Sequence, residues 1–315
     1  MKKREYFISC DWGTSNFRLR VVENSSLKIL AEHKTDQGIK SLYEKYLTQT
    51  VKDQTTYFAE YLASEISNLP KIHRKHIVVA AGMASANIGL YEMDYADFPL
   101  NGNGDNLKWK HLKLPNNLEL LLISGAKTNS EMMRGEEIQA VGLNDQLTPY
   151  QKGVLILPGT HSKHLTYRNS QYLDLKNFMT GELFEVLSQK SILSNSILKE
   201  NTIINENVFI EGVKLGLKGL LSERLFSVRA RHILDHKPKE DNYYFLSGLL
   251  IGDEIKYLAN TVDTIFLVAP DPVFSLYKIA LEQIIIKEKL ILLDGHYLEK
   301  ALLIGQQKIL KNYDQ

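Results

Sequence analysis

Three features of this 315-residue chain predict an α/β fold made of two similar domains. Short apolar runs of strand length alternate with longer segments of helical periodicity. A strand–turn–strand unit near the start has a second copy near the middle. The length and the 44% apolar content are enough for two ordinary cores. The predicted domains are 1–147 and 148–295, with the junction at Thr148-Pro149 and a closing helix in 296–315 expected to pack back on the first domain.

In the first copy an apolar strand runs into Asp11-Trp12-Gly13-Thr14-Ser15-Asn16, a second strand leaves from Phe17 to Val22, Asn24-Ser25 forms a turn, and a third strand covers Leu27 to Ala31. The second copy repeats the order: Gly153 to Leu157, the turn Pro158-Gly159-Thr160-His161-Ser162, a strand from Lys163 to Tyr167, Asn169-Ser170, and a strand from Gln171 to Leu175. Asn-Ser suits both turns because either side chain can bond nearby backbone. A repeat at this spacing reads as two domains rather than a solenoid. Asp11 is matched by Leu157, so only the first turn carries a carboxylate.

The turn chemistry suits a metal–phosphate ligand. A carboxylate at Asp11 can accept hydrogen bonds from water on magnesium, which keeps several of its waters. Gly13 allows close backbone approach, and Thr14 and Ser15 offer N–H and O–H donors to phosphate oxygens. An ordinary hairpin with polar residues facing water explains the first turn equally well.

Between the repeats, Tyr43 to Leu69 reads as one amphipathic helix stopped by Pro70, Ile77 to Ala81 as a buried strand ending at Gly82, Asn101 to Asn106 as a loop, and Leu118 to Ile123 as a strand. A helix is expected from about Gly135 to Leu143. The second half continues with helices at Gly181–Leu193, Glu206–Leu225 and Leu246–Tyr257, strands at Thr264–Ala269 and Lys289–Leu293, and a closing helix at His296–Leu310.

Ligands of open α/β folds bind beyond the carboxyl ends of strands, where Asp11, Gly82 and the Gly159 turn all fall. Ser85 and Asn87 could bind a hydroxylated substrate or cap a helix. In Met133-Arg134-Gly135-Glu136-Glu137 the two carboxylates either favour a helix start through its dipole or supply a general base. Arg134 could grip a substrate carboxylate with parallel hydrogen bonds. Thr180 and Glu182 fit a helix cap and first turn. His161 and His164 lack a nearby third ligand for zinc, and no Gly-x-Ser-x-Gly elbow is present.

A net charge of +1, with both signs evenly mixed, gives no sign of nucleic-acid binding. The short basic run Lys71 to His76 reads as a solvated connection. The single cysteine, Cys10, sits in a strand and fits a reducing compartment. The opening residues Met1-Lys2-Lys3-Arg4-Glu5 lead into a strand rather than a signal segment, and no apolar stretch is long enough for a bilayer. The expectation is a soluble cytoplasmic protein.

Taken together, the motifs resemble the 2-dehydro-3-deoxygalactonokinase family of the actin-like ATPase and sugar kinase superfamily. The matching segments, in the family's order, begin at Asp11 (Asp-Trp-Gly-Thr-Ser-Asn-Phe-Arg), Ala81 (Ala-Gly-Met-Ala-Ser-Ala-Asn-Ile-Gly), Met133 (Met-Arg-Gly-Glu-Glu), Leu157 (Leu-Pro-Gly-Thr-His-Ser-Lys) and Met179 (Met-Thr-Gly-Glu-Leu). Phe226 to Leu234 and Phe245 to Gly252 complete the set. The resemblance implies two actin-like (ribonuclease H-like) domains around an interdomain nucleotide cleft, and ATP- and magnesium-dependent phosphorylation of the C6 hydroxyl of 2-dehydro-3-deoxygalactonate.

It further implies that Asp11 organises magnesium and that Gly13, Thr14 and Ser15 hold one side of the phosphates. Gly159, Thr160, His161 and Ser162 would hold the other, with Gly248 also on the nucleotide side. Glu136 or Glu137 would be the base. Gly82, Ser85 and Asn87 would contact the sugar acid, and Arg134 and Lys163 are the candidate cations for its carboxylate. Two segments depart from the family pattern. Pro270-Asp271-Pro272 replaces a Gly-Thr-Ser-like turn, removing N–H donors and predicting weaker adenosine contact, and the stretch after Met93 differs near the expected sugar site. The alternatives are a degenerate nucleotide or sugar-acid sensor and a phosphohydrolase of the same superfamily.

Overall fold

The computed structural model describes residues 4–199 and 204–315. Met1 to Lys3, read above as leading into the first strand, lie outside the described residues. The chain forms two compact units: residues up to 151 with 167–175 and 297–315, and residues 152–166 with 176–296.

The first unit opens with three strands, β1 (Tyr6–Trp12), β2 (Phe17–Glu23) and β3 (Ile29–Thr35), then helices α1 (Ile39–Tyr46) and α2 (Gln54–Ile66). Strand β4 (Val78–Gly82) is followed by two short strands, β5 (Ala96–Asp97) and β6 (Leu100–Asn101), and by the hairpin β7 (Trp109–Leu114) and β8 (Leu118–Ile123). The short pair β9 (Ala126–Lys127) and β10 (Met132–Met133) leads into α3 (Glu136–Leu147). The main sheet has the order β3-β2-β1-β4-β8-β7. The first three strands pair antiparallel, and β1, β4 and β8 run parallel.

The second half holds β11 (Lys152–Leu157), β12 (Ser162–Arg168), β13 (Gln171–Phe178) and α4 (Thr180–Lys190). Helices α5 (Glu206–Leu217), α6 (Leu221–Arg224), α7 (Ser227–Ile233) and α8 (Lys239–Ile255) follow. The chain ends with β14 (Thr264–Val268), α9 (Val273–Leu281), β15 (Leu290–Leu293) and α10 (Gly295–Asp314). The second sheet has the order β15-β14-β11-β12-β13-β6, with β11, β14 and β15 parallel. The order β3-β2-β1-β4-β8 in one sheet is thus repeated as β13-β12-β11-β14-β15 in the other, so the two sheets share one topology.

Alternation in β1 sends Ile8, Cys10 and Trp12 to one face, where they pack with Phe17, Leu19 and the α2 residues Phe58, Leu62 and Ile66. Each fully buried side chain of this size contributes about 1.5–3 kcal/mol. In the second unit Val154, Ile156, Ile265 and Leu267 pack against Phe209 and Val213 of α5 and Ile251 and Ile255 of α8. Helix α10 lies in the first unit, where a side chain at Gly142 would run into the Ala301 backbone and one at Gly305 into Ile138. No helix among the described residues is long and apolar enough to cross a membrane.

Several expected elements are corrected. The single helix at Tyr43–Leu69 is two helices, because Gln49 Oε1 accepts the Val51 and Lys52 N–H groups and Asp53 caps a new start by accepting from Thr56 N at 2.9 Å. The expected third strand at Leu27–Ala31 lies at Ile29–Thr35, since Leu27 has φ 58° and belongs to the turn. The helix read at Glu206–Leu225 is broken after Leu217, where Gly219 has φ 73°. The helix read at Leu246–Tyr257 begins earlier, at Lys239, after Pro238. Pro270-Asp271-Pro272 opens α9, with Phe274 N donating to Pro270 O and the Asp271 carboxylate accepting from Ser275.

Candidate active site

The β1–β2 turn is closed by Gly13 N donating to Asn16 O at 2.9 Å. Hairpin register places Asp11 opposite Arg18, and the two form an ion pair at 3.1 Å. Arg18 also reaches Glu299 of α10 at 3.3 Å, and Glu299 meets Arg20, which pairs with Glu32 at 2.6 Å. The Asp11 side chain is 40% exposed and borders a cavity of about 650 Å³ lined also by Gly13, Asn16, Arg18, Lys34 and Asp36. A half-exposed carboxylate on a polar cavity fits magnesium, which takes one or two carboxylates and keeps its waters. No group of three or more His, Cys, Asp or Glu side chains that could hold a metal occurs among the described residues.

The backbone of α1 fixes this turn. Ile39 N donates to Gly13 O at 3.0 Å and Lys40 N to Thr14 O at 3.1 Å. Gly38 sits so close that an added Cβ would lie 2.2 Å from Thr14 O. The second repeat uses the same device. Glu182 N donates to Thr160 O at 3.0 Å, and a Cβ on Gly181 would lie 2.5 Å from Gly159 O. In both repeats a glycine at a helix start lets the helix amides reach the turn after the first strand. Gly38→Ala and Gly181→Ala are each expected to force the helix off its turn and to destabilise the protein by about 1–3 kcal/mol, the usual cost of overpacking. Denaturant titration of each variant checks this.

Beside the Asp11 turn, β4 ends at Gly82, paired in parallel register with Trp12. Gly82 has φ 87°, and Ser85 is fully buried. Arg134 Nη1 donates to Ser85 O at 2.7 Å and to Ser85 Oγ at 2.5 Å, and its guanidinium lies 4.2 Å above the Tyr95 ring. At Gly135, with φ 112°, an added Cβ would come within 3.4 Å of Gly82 Cα. The Glu137 carboxylate accepts the Gly135 N–H at 2.7 and 2.9 Å. Glu137 is completely buried; desolvation, helped by the neighbouring Glu136 charge, raises its pKa to about 8. Glu136 is partly exposed on the first turn of α3. Asp11, Gly13, Gly82, Ser85, Arg134 and Glu137 thus belong to the carboxyl ends of β1 and β4 and to the start of α3. Asn87, two residues beyond Ser85, is exposed, and its carbonyl accepts from Gln54 Nε2 at 2.7 Å.

In the second unit, His161 and Thr160 are exposed on the β11–β12 turn, and His161 Nε2 pairs with Glu182 at 2.5 Å. Lys163 is buried and donates to His161 O at 2.7 Å. Ser162 is buried with its hydroxyl 3.0 Å from Tyr277 Oη. Tyr277 donates to the Glu254 carboxylate, which only accepts, so Ser162 must donate to Tyr277. The Ser162 hydroxyl hydrogen is therefore directed inward, away from any ligand on the turn. Thr180 is the first residue of α4 rather than its cap, and its hydroxyl donates to Glu254. Gly248 lies inside α8 where a Cβ would meet Phe209 O of α5 at 2.1 Å, so close helix crossing accounts for a glycine there.

Sequence reading missed Arg18, Gly38, Tyr95, Gly181 and Glu254. Arg18 was accessible from hairpin symmetry about the Asp11 turn. The role of Gly38 and Gly181 needed the helix-start alignment, and nothing local marks Tyr95 or Glu254.

The sequence profile of the 2-keto-3-deoxy-galactonokinase family matches residues 11–305. The chain is similar to "2-dehydro-3-deoxygalactonokinase" of Escherichia coli K12, with 29% identity over 266 residues covering 81% of each protein. It is similar to the same extent, 29% over 290 residues, to the Rhizobium meliloti protein described as "Probable 2-dehydro-3-deoxygalactonokinase DgoK1", covering 88% of this chain and 89% of the relative. A crystal structure of a "putative 2-dehydro-3-deoxygalactonokinase protein" from Sinorhizobium meliloti superposes with a TM-score of 0.80 at 26% identity, covering 97% of this chain and 96% of the other.

Proposed function

Since the chain belongs to the 2-keto-3-deoxy-galactonokinase family, we propose that it transfers the terminal phosphoryl group of ATP to the C6 hydroxyl of 2-dehydro-3-deoxygalactonate, a step of galactonate breakdown carried out in the cytoplasm where ATP is supplied. The observation that carries this beyond family membership is the grouping in the first unit. Asp11 sits at the end of β1, Gly82 at the end of the adjacent β4, and Arg134 and Glu137 at the start of α3.

Asp11 would hold magnesium through the ion's waters; when bound, the ion neutralises charge on the phosphate oxygens. The amides and hydroxyls of Gly13, Thr14 and Ser15 suit the phosphates, as do the amides of Gly159, Thr160 and His161. Arg134 is held on one nitrogen by Ser85 and stacked on Tyr95, which leaves its other N–H donors for the sugar-acid carboxylate. Glu137 is the proposed base, because burial gives it a proton affinity suited to accepting the hydroxyl proton near neutral pH. As Glu137 takes that proton, the C6 oxygen bonds to the terminal phosphorus and the bond from that phosphorus to the ADP oxygen breaks.

The test is product identification. Incubation with magnesium–ATP and 2-dehydro-3-deoxygalactonate should give one new phosphate ester, assigned to C6 by phosphorus–proton coupling in NMR. Esterification at another carbon, or none, would refute the assignment. Arg134→Lys keeps the charge but loses the planar fork and the stacking. It should raise the KM for the sugar acid by at least about tenfold and leave the KM for ATP within twofold.

A further inference from the structure

A buried polar network lies beneath the β11–β12 turn, and nothing in the reaction scheme uses it. The Glu254 side chain is 1% exposed and the His164 side chain 0%. Glu254 Oε1 accepts from His164 Nε2 at 2.8 Å, and Oε2 accepts from Tyr277 Oη at 2.7 Å and from the Thr180 hydroxyl. With Nε2 donating, His164 Nδ1 accepts from Tyr257 Oη at 2.7 Å. Tyr277 in turn accepts from Ser162. Burial, reinforced by the Glu254 charge, pushes the Tyr277 hydroxyl well above its ordinary pKa, so it stays a donor.

A buried carboxylate with its donors is weak evidence for stability, because apolar residues of similar volume often serve as well. What this one does provide is directional. Its donors come from three elements: Ser162 (through Tyr277) and His164 on β12, Tyr277 on α9, and Thr180 at the start of α4. Ser162 leaves the turn, and Thr180 precedes Gly181 and Glu182, which close over Gly159 and Thr160. One carboxylate therefore fixes both the exit of the turn and the helix that covers it.

We propose that Glu254 is a positioning residue for the Pro158–Ser162 turn, holding its backbone amides in the conformation that receives nucleotide phosphate. The inference rests on the reading of that turn as a phosphate site. The test uses the whole protein and measures magnesium–ADP binding by calorimetry, together with the KM for ATP and for the sugar acid. Tyr277→Phe removes only the hydroxyl that links Ser162 to Glu254, and Glu254→Gln turns an acceptor toward its donors into a partial donor. Both should weaken magnesium–ADP binding, by about tenfold for Tyr277→Phe and more for Glu254→Gln, and raise the KM for ATP in proportion. The KM for the sugar acid should stay within twofold. If Glu254→Gln does not fold, Tyr277→Phe decides alone. A lowered melting temperature with unchanged magnesium–ADP affinity would make the network purely structural and overturn the proposal. Wild-type protein that binds neither magnesium–ADP nor magnesium–ATP would instead refute the phosphate reading of the turn itself.

Discussion

Asp11→Asn should lower kcat by about 10²–10³, the usual cost of removing one electrostatic contact at a reacting centre, while the protein stays folded. Asparagine is nearly isosteric but brings no charge to the proposed magnesium–phosphate site. The structural loss is small. The Asp11–Arg18 pair is partly exposed, and such pairs contribute about 0–1 kcal/mol. Arg18 keeps Glu299 as a partner, and Gly13 N to Asn16 O still closes the turn. Circular dichroism and a melting curve should match the wild type, and added magnesium should not restore the rate. Activity near the wild-type level would remove Asp11 from the mechanism.

Glu137→Gln should cost at least as much, and its pH behaviour separates it from a packing defect. If Glu137 is the base, it must be ionised, so wild-type kcat/KM rises with pH and levels off above about 8. That limb should vanish in the variant along with most of the activity. Glu136→Gln removes the charge that helps raise the Glu137 pKa, so its pH profile should shift toward acid with a smaller loss of rate. Stability carries the opposite sign. The folded-state pKa of Glu137 lies above its ordinary value, so the stabilisation from the protonated form is complete below about pH 4.5 and is lost as pH rises toward about 8. Glu137→Gln does not incur that loss. Denaturant titrations at pH 5 and pH 9 should show the variant gaining on the wild type at the higher pH. A variant that loses activity with an unchanged pH profile would give the role of base to another group.

The parts of this fold legible in the sequence were those with local signals. Short apolar runs of strand length marked β1, β4 and β8, and the paired turns at Gly13 and Gly159 marked the repeat. Elements with weak or conflicting local signals were misread. The Tyr43–Leu69 segment keeps helical periodicity across a break that only Gln49 and Asp53 side-chain bonds reveal, and β7, with charged Lys110 and Lys113 beside Trp109, does not read as a strand until β8 pairs with it. The same holds for the site. Asp11, Arg134 and the adjacent pair Glu136-Glu137 stood out by type and position, with the two glutamates not distinguished. The burial that tunes Glu137, the Tyr95 ring under Arg134, and the inward turn of Ser162 depend on residues distant in sequence. Gly38 and Gly181 are explained only when the helix starts are seen against the turns they cover.

The central claim, phosphoryl transfer to a sugar acid, is tested most directly by coupled ADP release. Purified protein with magnesium–ATP is assayed with and without each member of a panel of 2-keto-3-deoxy sugar acids. ADP should appear only when a sugar acid is present, fastest with 2-dehydro-3-deoxygalactonate. Constant ADP release without any sugar acid, or ligand binding with no turnover across the whole panel, would contradict it.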